Sequence, residues 1–169
     1  LNPQHTVPTL DDDGLVVCDS HSINSYLVEK YASGNSLYPE DPHQRAIINQ
    51  RLHFDSGVLF PRLVTIVRPL VLQKEKDIPN EKIADVIEAY AFLEKFLESQ
   101  QWMAGNSATL ADLSLIATVT SSAVVVPIDE KKFPNIVGWI KRAKCLPYYE
   151  ANEAGLDMFR TLVKGLLNA

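Results

Sequence analysis

The first twenty residues carry the pattern of a β-hairpin. Residues 7–17 contain two short apolar runs on either side of Asp-Asp-Asp-Gly, and Asp-Gly is a strong signal for a tight turn between antiparallel strands. Pro8 has no N–H to donate to a neighbouring strand, so we place it at the first residue of its strand. Because a lone hairpin is marginally stable in water, the pattern implies further strands, yet no later run supplies them convincingly.

After the hairpin the apolar positions follow helical spacing. Asp19 and Ser20 can cap a helix whose apolar residues recur every three or four positions, and residues 32–35 end it. Pro39 and Pro42, two prolines within four residues, stop any helix there. We therefore predict a strand-containing domain over residues 1–35, a linker over residues 36–42 and a helical domain over residues 43–169.

A long helix is predicted from Pro42 to Pro69, followed by a second amphipathic helix. Proline removes one i→i−4 hydrogen bond, so we expect a bend near Pro61 and the end of the helix near Pro69. The next helix has Pro79 in its first turn, and its apolar stripe lies opposite Glu and Lys residues.

The most apolar helix is predicted at residues 113–126. Thr109 and Asp112 precede it with the spacing of a capping box, in which Asp stands in place of Glu or Gln. A helix that is apolar nearly all round is buried at the centre of its domain. Pro134 opens a further helix, and residues 156–167 are predicted as a short amphipathic tail helix.

Composition and charge exclude several classes of protein. The chain has 169 residues with 16 Lys and Arg against 21 Asp and Glu, a net charge of −5, which excludes binding to nucleic acid through a basic face. No run of eighteen apolar residues is present. Cys18 and Cys145 lie too far apart in the sequence to be a disulfide framework, and so few cysteines fit a reducing compartment. The chain starts at Leu1 rather than Met, and we expect a truncated N-terminus.

Periodicity and spacing reveal no catalytic constellation. The sequence has no HExxH, CxxC, P-loop or GxSxG motif. Neither cysteine has a partner at the spacing of metal ligands, and the histidines are scattered, so we predict no metal site. The four histidines are His5, His21, His43 and His53.

Two short stretches are the candidates for ligand binding. A cis bond before Pro8 would turn the N–H and C=O of Val7 away from the sheet edge, where they can pair with an extended ligand backbone; the alternative is a strand-entry proline with no ligand. Asp19 and Ser20 stand at a helix N-terminus, where free amides and a hydroxyl suit a carboxylate and Asp19 suits an ammonium group. The alternative is a plain N-cap.

These stretches resemble the cytosolic glutathione transferases of insects, and within the delta and epsilon group they look like the epsilon class. The similarity runs in order along essentially the whole chain. It is carried by residues 2–10 (NPQHTVPTL), 19–23 (DSHSI), 36–39 (SLYP), 51–60 (RLHFDSGVLF), Ala104-Gly105 with residues 109–112 (TLAD), and 146–150 (LPYYE).

The resemblance implies an α+β fold of two domains, a thioredoxin-like domain followed by an all-helical domain. It also implies a cytoplasmic homodimer that conjugates glutathione to hydrophobic electrophiles in detoxification or insecticide resistance, with glutathione as co-substrate and no metal. A cis Pro8 follows from it, with the backbone of Val7 on the cysteinyl part of glutathione. The other implied glutathione-binding residues are His5 and Thr6 at the glycyl side, and Asp19, Ser20 and His21 at the γ-glutamyl end.

One part of the family pattern is not found in these residues. The family begins with a β-α-β unit, and its serine hydroxyl stabilises the glutathione thiolate, which is the nucleophile. No serine of the sequence takes that role by position: Ser20 belongs to the binding site and Ser56 to the long helix. The resemblance thus implies that the expected catalytic serine lies upstream of Leu1 and that these residues alone are inactive. The alternative is a non-catalytic, ligand-binding or dimerising remnant.

By its position in the segment that resembles the family, the long helix is also expected to supply an apolar wall for the second, hydrophobic substrate. An equally weighted alternative is that these side chains belong to the helix core or to a dimer contact. His53 and Asp55 are candidates to face a dimer partner, and Asp112 is taken as a helix cap rather than a catalytic acid. The predicted wall consists of Phe60, Leu63, Val64 and Val67.

Overall fold

The structure is a computed structural model that describes residues 1–73 and 75–168. Its sheet is the predicted hairpin, with antiparallel strands β1 (Thr9–Asp12) and β2 (Leu15–Cys18). The two central turn residues, Asp13 and Gly14, have φ of 51° and 89°. Positive φ at both positions is the type I′ turn that matches the right-handed twist of the strands. Across the described part of the chain, these two strands are the whole sheet.

Helix α1 (Ser20–Tyr31) packs against the hairpin and is tied to it by one carboxylate. Asp12 accepts hydrogen bonds from the Tyr26 hydroxyl at 2.6 Å, the Lys30 ammonium at 2.7 Å and the Tyr31 hydroxyl at 2.8 Å. The bond from Lys30, helped by the two hydroxyls, lowers the pKa of Asp12 to about 2. The hairpin and α1 therefore form one hydrogen-bonded unit.

The long helix consists of α2 (Pro42–Phe54) and α3 (Phe60–Arg68), separated by a π-helical turn (Asp55–Leu59). The backbone thus leaves α geometry before Pro61, and the Phe60 N–H bonds to the Asp55 carbonyl, five residues back. The α-helix ends at Arg68, next to Pro69 as predicted, but the chain stays helical beyond it. Pro69 keeps helical angles (φ −62°, ψ −41°), and a second π turn (Pro69–Gln73) follows it. A wider turn accommodates a ring that lacks an N–H.

Four more helices complete the fold: α4 (Asn80–Phe96), α5 (Leu110–Val125), α6 (Pro134–Ala143) and α7 (Tyr149–Asn168). Pro79 is the N-cap of α4, one residue before the predicted position. The tail helix begins at Tyr149 instead of residue 156. Its first turns carry polar residues that mask the apolar period, but Tyr149 is buried and Asn152 donates to the Thr120 hydroxyl at 3.2 Å.

Helix α5 is the centre of the helical part, as its all-round apolar sequence predicts. Leu115 and Val119 are fully buried, and α2, α3, α6 and α7 all contact the helix. The capping box of Thr109 and Asp112 is present. The backbone N–H of Leu110, at the start of α5, donates to the carbonyl of Leu37 at 2.9 Å, which fixes the connecting segment on the helical core. The strand-containing N-terminal region followed by a helical part confirms the predicted fold class.

No helix in the described ranges is long and apolar enough to cross a membrane.

Candidate functional site

A cleft of about 670 Å³ lies between the loop before β1, the start of α1, the first π turn and α5. All seven residues that the resemblance assigns to glutathione line this one cleft. They come from two separate stretches of sequence, which the hairpin folds together. The seven are His5, Thr6, Val7, Pro8, Asp19, Ser20 and His21.

The loop before β1 presents unused backbone groups to the cleft. The Val7–Pro8 bond is cis, as the resemblance implies, and Val7 is 93% exposed. The side-chain amide of Asn2 holds the loop by donating to the Thr6 carbonyl at 2.8 Å and to the Thr6 hydroxyl at 2.9 Å. The N–H and C=O of Val7 make no hydrogen bond to any described residue. They are therefore free to pair with an extended ligand.

The start of α1 offers fewer free amides than the sequence suggests. Asp19, with φ of 76°, caps the helix, and its Oδ1 accepts from the backbone N–H groups of His21 and Ser22, both at 3.0 Å. A ligand carboxylate is then left with the N–H and the hydroxyl of Ser20, which have no partner among residues 1–73 and 75–168. The second oxygen of Asp19 has no hydrogen-bond partner among the described residues, and Asp19 lines the cleft.

An Asp–His pair that sequence reasoning missed lies beside these groups. Asp55, on the π turn, is 3% exposed, and its Oδ2 is 3.2 Å from Nε2 of His21. Asp55 lines the cleft, and His53 lies at a neighbouring depression; their place at a dimer face stays a prediction. No local signal indicates this pair, because 34 residues separate its members.

Helix α5 supplies a wall of the cleft, although the sequence marks it only as structural. Leu113 and Ala117 form one stripe along the helix, and Ser114 and Thr118 form a polar stripe beside it. Within the described ranges, the buried hydroxyl of Ser114 and Oδ1 of Asp55 both lack a hydrogen-bond partner. Gln4, Asn24, Ser56 and Phe60 complete the lining. Unpaired buried polar atoms are uncommon and mark a surface suited to a polar ligand.

The predicted hydrophobic wall is only partly in the cleft. Phe60 is 53% exposed and lines it, whereas Leu63 is 6% exposed and belongs to the core. Val67 also packs against the core, and Val64 is half-buried. The apolar surface beside Phe60 comes from Leu113 and Ala117 of α5.

The titratable groups that line the cleft are two carboxylates, Asp19 and Asp55, and two imidazoles, His5 and His21. None of its described lining residues is Lys or Arg. In the described ranges, no three His, Cys, Asp or Glu side chains come together as a metal site. The arrangement thus offers an exposed backbone pair, a serine beside free carboxylate oxygens, and an apolar patch, which suits a peptide-like ligand next to an apolar one.

Comparison with known proteins identifies this architecture. The family model "Glutathione S-transferase, N-terminal domain" matches residues 1–36, and "Glutathione S-transferase, C-terminal domain" matches residues 48–147. The fold is that of a glutathione S-transferase.

Individual proteins that are similar to this chain support the same family. Glutathione S-transferase 1 of Manduca sexta is 45% identical over 99% of this chain and 78% of its own length. An epsilon-class glutathione S-transferase from the housefly Musca domestica superposes with a TM-score of 0.94 at 44% identity, covering 98% of this chain and 77% of that one. A glutathione transferase homolog from Drosophila mojavensis, solved with bound glutathione, gives 0.94 at 42% identity, covering 97% and 75%. The chain belongs to the glutathione S-transferase family of enzymes.

Proposed function

We propose that this protein conjugates reduced glutathione to hydrophobic electrophiles, and that the cleft is the glutathione site. The observation that carries the proposal is the convergence of the seven candidate residues in one cleft. The Drosophila mojavensis relative with bound glutathione supports the same ligand. In cells the reaction serves detoxification, including insecticide resistance, in a cytoplasmic homodimer.

The tripeptide is held along its whole length. The free N–H and C=O of Val7 bind the cysteinyl backbone, with Pro8 shaping the loop, and His5 and Thr6 flank the glycyl end. Ser20 donates its N–H and hydroxyl to the γ-glutamyl carboxylate. Asp19 and His21 lie at the ammonium end. We assign these residues to a thioredoxin-like domain over residues 1–35, joined through residues 36–42 to the helical domain of residues 43–169.

The electrophile binds on the apolar side of the cleft. Phe60 supplies the exposed contact surface, and Leu63 and Val67 anchor α3 along the core. Leu113 and Ala117 face the same volume from α5. An apolar substrate fits this surface because burial of apolar area favours association without directional contacts.

The polypeptide of residues 1–169, expressed by itself, conjugates glutathione at a rate near background. A free thiol is mostly protonated at neutral pH, with a reference pKa of about 8.5, and none of the cleft serines is assigned to its activation. Binding without turnover is then expected of this polypeptide. Robust conjugation of an aromatic halide by residues 1–169 would contradict this assignment.

The glutathione site is tested with two serines that lie two residues apart on α1. Ser20 lines the cleft and Ser22 does not. We expect Ser20→Ala to weaken glutathione binding about tenfold, since a hydrogen bond to a charged group contributes about 1.5–3 kcal/mol. Ser22→Ala, the matched control, leaves the affinity within about twofold. NMR titration of the folded 169-residue chain with glutathione measures both.

Equal affinities of the two variants would remove Ser20 from the site. In a chimera that carries the N-terminal segment of the housefly relative ahead of residue 1, Ser20→Ala should raise KM for glutathione more than it lowers kcat.

A further inference from the structure

We draw no further inference here: the strongest candidate, the mainly apolar pocket of about 360 Å³ between α5, the end of α6 and the start of α7, carries none because nothing in the structure shows what covers it.

Discussion

At the scale of single residues, Asp112 shows how one buried carboxylate can organise a fold. It is 1% exposed and accepts from the backbone N–H groups of Met103 and Thr109 at 2.8 and 2.9 Å. The indole N–H of Trp139 donates to it at 2.8 Å, and the Thr109 hydroxyl at 3.1 Å. Burial raises the pKa of Asp112 although these donors oppose the shift. The sequence predicts the helix cap, but it does not predict that the carboxylate also binds Met103 and Trp139.

Replacement of Asp112 therefore leaves several buried hydrogen-bond donors without an acceptor. We expect Asp112→Ala to lower the free energy of unfolding by roughly 2–5 kcal/mol, because each unsatisfied buried donor carries a desolvation cost. Asp129→Ala is the control: Asp129 also accepts two backbone N–H groups, but it is exposed, and a loss of about 1 kcal/mol is expected. Denaturant titrations measure both. Equal losses would show that the buried network adds nothing beyond the cap.

At the scale of elements, the hairpin turn requires the conformational freedom of its glycine, whereas helix α7 does not. Gly14 has φ of 89° in the hairpin turn, a conformation that costs an L-residue about 1–2 kcal/mol. Gly165 lies within α7, and a Cβ placed there meets no atom within 4 Å. The same substitution should thus have opposite effects at the two positions.

We expect Gly14→Ala to destabilise the chain by about 1 kcal/mol and Gly165→Ala to stabilise it by about 0.4–1 kcal/mol. In the helix, alanine restricts the unfolded chain without straining the folded one. Thermal unfolding followed by circular dichroism measures the two shifts. A neutral Gly14→Ala would mean that the hairpin turn does not need positive φ.

The long helix shows the limit of prediction at this scale. Its prolines signal a break, yet the break falls at Asp55–Leu59, before Pro61, and Pro69 leads into another helical turn. Proline removes a donor at a known position, but neighbouring turns decide how the backbone absorbs the loss. That choice places Asp55 and Phe60 in the same cleft, five residues apart.

At the scale of the whole molecule, acid should loosen the N-terminal unit early, because the Asp12 carboxylate joins its hairpin to α1. The pKa of Asp12 is lowered to about 2 from 3.8, mainly by Lys30. A carboxyl group with a lowered pKa in the folded state stabilises that state above its unfolded pKa and loses the effect as the pH falls through its folded value.

The contribution of Asp12 is therefore complete above about pH 5 and disappears between about pH 4 and pH 2. We expect Asp12→Asn to be less stable than the native chain near neutral pH and equally stable near pH 2. Denaturant midpoints measured across this range test the expectation. A stability difference that is independent of pH would show that the charge of Asp12 is not what ties the hairpin to α1.

The sequence by itself determined the features that rest on local chemistry. The Asp-Gly turn, the Asp19 and Thr109 caps and the apolar α5 follow from backbone preferences and periodicity, which act over a few residues. Recognition of family motifs added the cis Pro8 and the seven cleft residues, because such motifs record the positions that contact a ligand.

Only the tertiary structure decided which distant side chains meet. His21 and Asp55 form a pair although 34 residues separate them in the sequence. Leu63 is buried in the core, whereas Phe60 lines the cleft. Helix α5 forms one wall of the cleft, which its apolar sequence does not indicate. The physical reason is that the neighbouring helices determine which faces of a helix are buried in the core and which border the cleft. A pattern of apolar positions shows which residues avoid water, whereas the packing of α1, α2, α3 and α5 against one another determines which of them border a ligand.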